Sequence, residues 1–111
     1  MKLGLLNTSI LTATGTYKLI DITLESARDI IGKYDEPHLG IESAIGHAAT
    51  AQIMSELLKY PVVENRIEFK QEVSQVCLVF KLNGRAEEGK IMTREEVEKM
   101  GYKFQLLMRV S

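Results

Sequence analysis

The stretch VCLVFKL, residues 76–82, constrains the fold more than any other part of the chain. Its first five side chains are all apolar. Neighbours along an extended chain point to opposite faces, so both faces need apolar cover, and the run predicts a central strand.

The remaining segments supply neighbours for that strand. KLGLL at 2–6 predicts a short strand running into the turn-forming NTSI, and YKLIDI at 17–22 a second strand. TLESARDIIGKY predicts a helix with Thr23 as N-cap and Leu24, Ala27, Ile30 and Ile31 on one face. DEPHLGIES predicts a loop from its proline and glycine, and the helix after His47 directs Ile53, Leu57 and Leu58 to the core. NRIEFK at 65–70 alternates, which predicts a strand with Ile67 and Phe69 on one side and Arg66, Glu68 and Lys70 on the other. NGRAEEGKIM reads as a loop. TREEVEKM has Thr93 and Glu96 at capping-box spacing, and YKFQLLMRV predicts a closing strand with Phe104, Leu106, Met108 and Val110 inward. The expected architecture is α/β: one small domain over residues 1–111, a mixed β-sheet flanked by helices.

Composition excludes several functions. A chain of 111 residues buries roughly two thirds of its unfolded surface, which needs no disulfide or structural metal. With a net charge of −1 it lacks the broad positive field of proteins that bind long nucleic acids, so an anionic ligand must be small and held locally. The single cysteine, Cys77, lies in the central strand and is expected to be a buried thiol. No apolar run reaches the length of a membrane span, and Asn7, Thr8 and Ser9 interrupt the one N-terminal stretch that suggests a leader, so a cytoplasmic location is expected. There is no CxxC, HxxxH, P-loop or dinucleotide glycine fingerprint. His38 sits beside Pro37 in a loop, and neither a metal nor another cofactor is expected. Ser9 has no basic neighbour in sequence to activate it.

Two stretches carry candidate chemistry. In SAIGHAAT, residues 43–50, His47 follows Gly46 at a helix start and Thr50 lies one turn on. The plain alternative is a surface or structural histidine. Against it, the glycine permits close approach and the free amides of a first turn favour an anion. A helix dipole disfavours imidazolium by about 0.3–1 kcal/mol, whereas a phosphate about 4 Å away favours it by up to about 4 kcal/mol at an effective dielectric near 20. A docked phosphodiester therefore makes His47 a proton donor. In NGRAEEGK, residues 83–90, two glycines bracket a charged segment that is either a solvated turn or a lid over a ligand. Arg85 suits a phosphate through its planar fork, and Glu88, or its neighbour Glu87, suits a ribose hydroxyl. Arg66 is either a further phosphate ligand or half of a cross-strand ion pair.

LLNTSIL near the start, SAIGHAAT, NRIEFK and RAEEGKIMTREE, in this order and over nearly the whole chain, resemble the viral type III anti-CRISPR ring nuclease family and its cellular relatives. The resemblance implies a homodimer that cleaves cyclic tetra-adenylate without a metal. It implies His47 as general acid, Arg85 and Glu88 in an active-site loop, Arg66 as a phosphate ligand, and Asn7, Ser9 and Thr50 facing the ring. The sequence departs from the family pattern at Ala48 and Ala49, where many relatives carry polar residues. Losing a hydroxyl at position 49 forgoes one hydrogen bond worth about 0.5–1.5 kcal/mol. Two other functions fit the same residues: a protein that binds and sequesters a cyclic nucleotide uncut, and an inhibitor that acts by surface contact.

Overall fold

The computed structural model describes residues 1–84 and 92–111. Along the chain, β1 spans Leu3–Leu6, β2 Tyr17–Ile22, α1 Leu24–Tyr34, β3 Ile41–Ser43, α2 Ala48–Leu58, β4 Val76–Leu82, α3 Arg94–Met100 and β5 Tyr102–Arg109. The strands form one five-stranded mixed sheet in the order β2-β5-β4-β1-β3. As its double-sided apolar pattern requires, β4 is central. It runs parallel to β1 and antiparallel to β5, while β1 is also parallel to β3.

The two faces of β4 feed two cores. Leu78 and Phe80 join Leu3, Leu5 and Phe104 beneath Ala27 and Ile31 of α1, Ile53, Met54, Leu57 and Leu58 of α2, and Val97 of α3. Cys77 and Val79 face the other way, onto Leu6, Ala44, Phe69 and Leu107. α1, α2 and α3 thus cover one face, and irregular chain covers the other. Each large aliphatic or aromatic side chain buried in this way contributes about 1.5–3 kcal/mol. The expected caps are present: Thr23 accepts a hydrogen bond from the Ser26 amide, and Thr93 and Glu96 form a reciprocal capping box.

Three expectations are corrected. Residues 41–43, expected in a loop, form an edge strand: Gly40, at φ +91°, turns the chain so that its carbonyl meets the Leu3 amide and Ile41 pairs with Leu3. Residues 65–70 are not a strand. Their anchors are polar and reach distant parts of the chain, through Asn65 at one end and Gln71 just beyond the other, and only Phe69 turns into the core. Its ring fills the space left by the missing side chain of Gly4, where a Cβ would come within 2.7 Å of Phe69 Cζ. Ile67 instead stays 41% exposed. Finally, β5 ends at Arg109, so Val110 is exposed rather than inward.

Candidate functional site

Because β4, β1 and β3 are adjacent and parallel, their carboxyl ends share one edge of the sheet, where ligands of such sheets commonly bind. Leu5 pairs with both Ser43 and Leu78, so the three strands are in step there. From this edge β1 releases Asn7, Thr8 and Ser9, β3 leads through Gly46 to His47, and β4 leads to Asn83 and Gly84.

His47 is the N-cap of α2 and has extended backbone angles of φ −131° and ψ 127°. Its side chain makes no capping hydrogen bond and is exposed. The first helical bond runs from the Ala51 amide to the His47 carbonyl at 3.0 Å. The amides of Ala48, Ala49 and Thr50 thus precede any intrahelical acceptor, and no carboxylate occupies the first turn. Such a terminus attracts an anion through aligned N–H dipoles. At positions 48 and 49 the methyl groups leave these amides without competing side-chain acceptors.

Arg66 brings positive charge to the same place. Its Cγ and Nε lie 3.6 Å from the position a Cβ on Gly46 would occupy, beside the residue that precedes His47. Among the described residues no carboxylate pairs with its guanidinium, so the cross-strand ion pair considered for it is not formed there. A polar clamp holds it in position. Asn65 donates its amide N–H to the Ile45 carbonyl at 2.8 Å and its Nδ2 to the Ser43 carbonyl at 2.7 Å. The Ser43 hydroxyl in turn donates to the Val63 carbonyl at 2.6 Å and accepts from the Ile45 amide at 3.2 Å. The stretch that ends in Gly46 and the stretch that begins Arg66 are therefore fastened along their length.

The fold packs Arg66 against Gly46, beside His47 and the first turn of α2 that carries Thr50, and puts half-buried Asn7 and exposed Ser9 on the exit of the strand next to β3. Arg85, Glu87 and Glu88 lie outside the described residues. β4 ends at Leu82; beyond it the Asn83 amide donates to the Gly101 carbonyl at 2.9 Å, and Gly84 packs against Met100. Sequence reasoning missed Ser43 and Asn65. The signal available was a carboxamide at the head of NRIEFK, a group suited to bonding backbone outside a regular ladder.

Two other features do not add to the anion site. An open groove of about 500 Å³ runs along α2 between Ala48 and Glu64, but Glu56 and Glu64 line it and make it a poor seat for an anion. Burial pushes the Cys77 thiol up to about 12, with Glu42 adding to the rise and a hydrogen bond to the Gly4 backbone opposing it. At neutral pH it is a protonated core thiol and no nucleophile. His38 is exposed in the loop before β3, and among the described residues no three His, Cys, Asp or Glu side chains converge as metal ligands. None of the helices among them is long and apolar enough to cross a membrane.

The same fold occurs in B116 of Sulfolobus turreted icosahedral virus (STIV), which is similar with a TM-score of 0.79 and 23% sequence identity over 97% of this chain and 99% of that one. In sequence the chain is 34% identical to the uncharacterized protein YddF of Bacillus subtilis (strain 168), over 99% of each. It is 31% identical to the uncharacterized protein ORF117 of Acidianus two-tailed virus, over 97% of this chain and 93% of the other. Relatives thus come from both viruses and a bacterium. With residues 3–104 matching its pattern, from β1 into β5, the chain belongs to the STIV B116-like family.

Proposed function

We infer that this protein is a metal-independent ring nuclease that opens cyclic tetra-adenylate and so silences type III CRISPR signalling. The observation that carries the reading is the meeting of an N-cap histidine whose side chain makes no capping bond, a run of free helix amides and an arginine at the carboxyl edge of the parallel strands. A phosphodiester seated on the amides beside Arg66 lies within reach of a proton donor.

The substrate carries its own nucleophile. In a 3',5'-linked ring each 2'-hydroxyl adjoins the phosphate it attacks, so the protein has to hold the in-line arrangement and stabilise the charge that develops. The 2'-hydroxyl gives up its proton to Glu88 or to solvent as its oxygen forms a bond to phosphorus, the bond to the departing 5'-oxygen breaks, and His47 gives that oxygen its proton. General-acid assistance of this kind contributes about 10²–10⁴ in rate. Arg66 and the amides of α2 neutralise the phosphate, and Arg85 and Glu88 take the loop roles that the sequence resemblance assigns them. Asn7, Ser9 and Thr50 contact the ring. Cutting at two opposite phosphates leaves linear di-adenylates ending in 2',3'-cyclic phosphate. Near two-fold symmetry of the ring matches a homodimer that offers one His47 to each opposite phosphate.

The test is incubation of radiolabelled cyclic tetra-adenylate with wild type and His47→Ala, in chelator and without added metal, followed by chromatography and native mass spectrometry. Cleavage by wild type alone, with one ring per two chains, is the expected outcome. A ring that binds wild type and stays whole assigns the protein to sequestration instead, and absence of binding removes both readings. A ring carrying deoxyribose at the cleaved position must resist cutting.

A further inference from the structure

We propose that Asn83–Gly84 is a site of spontaneous deamidation, which places a new carboxylate where β4 leaves the sheet at the edge that carries His47. Both residues are exposed and lie just past Leu82, the last residue of β4. The Gly84 backbone nitrogen attacks the Asn83 carboxamide carbon, forming a five-membered succinimide. The proton from that nitrogen is passed on and the amide nitrogen departs as ammonia. Water then opens the ring at either carbonyl, giving aspartate, or isoaspartate with the main chain rerouted through the side chain.

Several features of the structure favour this step. Glycine at position 84 leaves no side chain to obstruct the attacking nitrogen. The reacting pair is outside the strand ladder, and among the described residues its one hydrogen bond is from the Asn83 amide to the Gly101 carbonyl at 2.9 Å. Among the described residues none hydrogen-bonds to the Asn83 carboxamide, so nothing there holds it against reaction. Its Nδ2 lies over Gly101, 2.5 Å from where a Cβ would stand, and Gly101 has φ +88°, a conformation that side chains other than glycine's rarely adopt. The departing amine thus sits above the one residue type that leaves it room.

The product replaces a neutral amide by an anion two residues before Arg85, and isoaspartate adds a methylene to the backbone there. On the reading of this edge as an anion site, both changes weaken binding of a phosphate ligand.

The experiment is prolonged incubation of purified protein at mildly alkaline pH, followed by intact-mass measurement, peptide mapping and enzymatic methylation of isoaspartate. The expected result is a mass gain equal to water minus ammonia, confined to the peptide containing residues 83 and 84. Asn83→Gln, whose longer side chain closes a ring poorly, and Gly84→Ala should suppress it. The added methyl at 84 meets Met100 Sδ at 2.9 Å, the end of a flexible side chain that can swing aside, so that variant folds. An unchanged Asn83 after incubation, or conversion confined to Asn7 or Asn65, overturns the proposal. Binding of cyclic tetra-adenylate is then compared between aged wild type, aged Asn83→Gln and fresh Asn83→Asp. Equal binding by all three removes the functional consequence. Fresh wild type that binds no ring refutes the function reading and leaves the mass result standing.

Discussion

Arg66 packs against Gly46, its Nε at 3.6 Å from the site of a side chain that residue 46 does not have. That separation is ordinary van der Waals contact, and Gly46 is not among the residues with positive φ. Neither packing nor backbone conformation therefore demands a glycine. Gly46→Ala should fold and gain about 0.4–1 kcal/mol through lower entropy of the unfolded chain. If the glycine serves close approach of a phosphate to the first amides of α2, the same substitution weakens ring binding. Thermal unfolding and a binding titration on one sample read both effects, and an alanine variant that binds the ring like wild type removes this role for Gly46.

The same opposition of stability and function applies at His47. Histidine is not a favoured N-cap, and here its side chain caps nothing. His47→Asn should cap the orphan amides and stabilise the protein by up to about 1 kcal/mol. It should also lower the cleavage rate by about 10²–10⁴, because a carboxamide cannot deliver the proton. A less stable Asn variant would show that the imidazole has a structural role not visible in its contacts.

Asn65 supports the site without belonging to it. Replacing it with alanine deletes the 2.7 Å bond to the Ser43 carbonyl and leaves a part-buried acceptor unpaired, at a cost of about 1–3 kcal/mol. The freed Arg66 should raise KM more than it lowers kcat, since His47 stays on the other side of the clamp. A loss confined to kcat would argue that Asn65 acts on the chemistry by another route.

How far the sequence revealed this arrangement depended on whether the stabilising contacts were periodic. The run at 76–82 is apolar on both faces and the apolar face of α1 repeats at helix spacing, and both elements formed as expected. Residues 65–70 repeat at strand spacing too, yet their hydrogen bonds go to Ser43 and Ile45, distant in sequence and invisible to a local pattern. Alternation there reflected one real anchor, Phe69, whose pocket exists because residue 4 has no side chain. The three-residue strand at 41–43 was too short to show a period and owes its existence to pairing with β1. The site was legible for the same kind of reason. Glycine followed by histidine at a helix start is a local signal, whereas the Asn65–Ser43 clamp that brings Arg66 to it is a tertiary one.

Cys77 provides a test of the core itself. Desolvation between β1 and β5 raises its thiol to about 12, against 9.0 for an unburied cysteine. The folded state therefore keeps a proton that the unfolded chain loses in this interval. Stability arising from this difference is fully present below pH 9 and is lost as pH climbs towards 12, with a limiting slope of about 1.4 kcal/mol per pH unit. Comparing wild type with Cys77→Ala in denaturant titrations across this range isolates the thiol from the lysines and tyrosines that titrate in both. The alanine variant should start less stable, having lost a buried sulfur, and then converge on wild type as the solution becomes more alkaline. Parallel curves would mean that the thiol ionises inside the fold as readily as outside it, and that the face of β4 covered by Phe69 admits water.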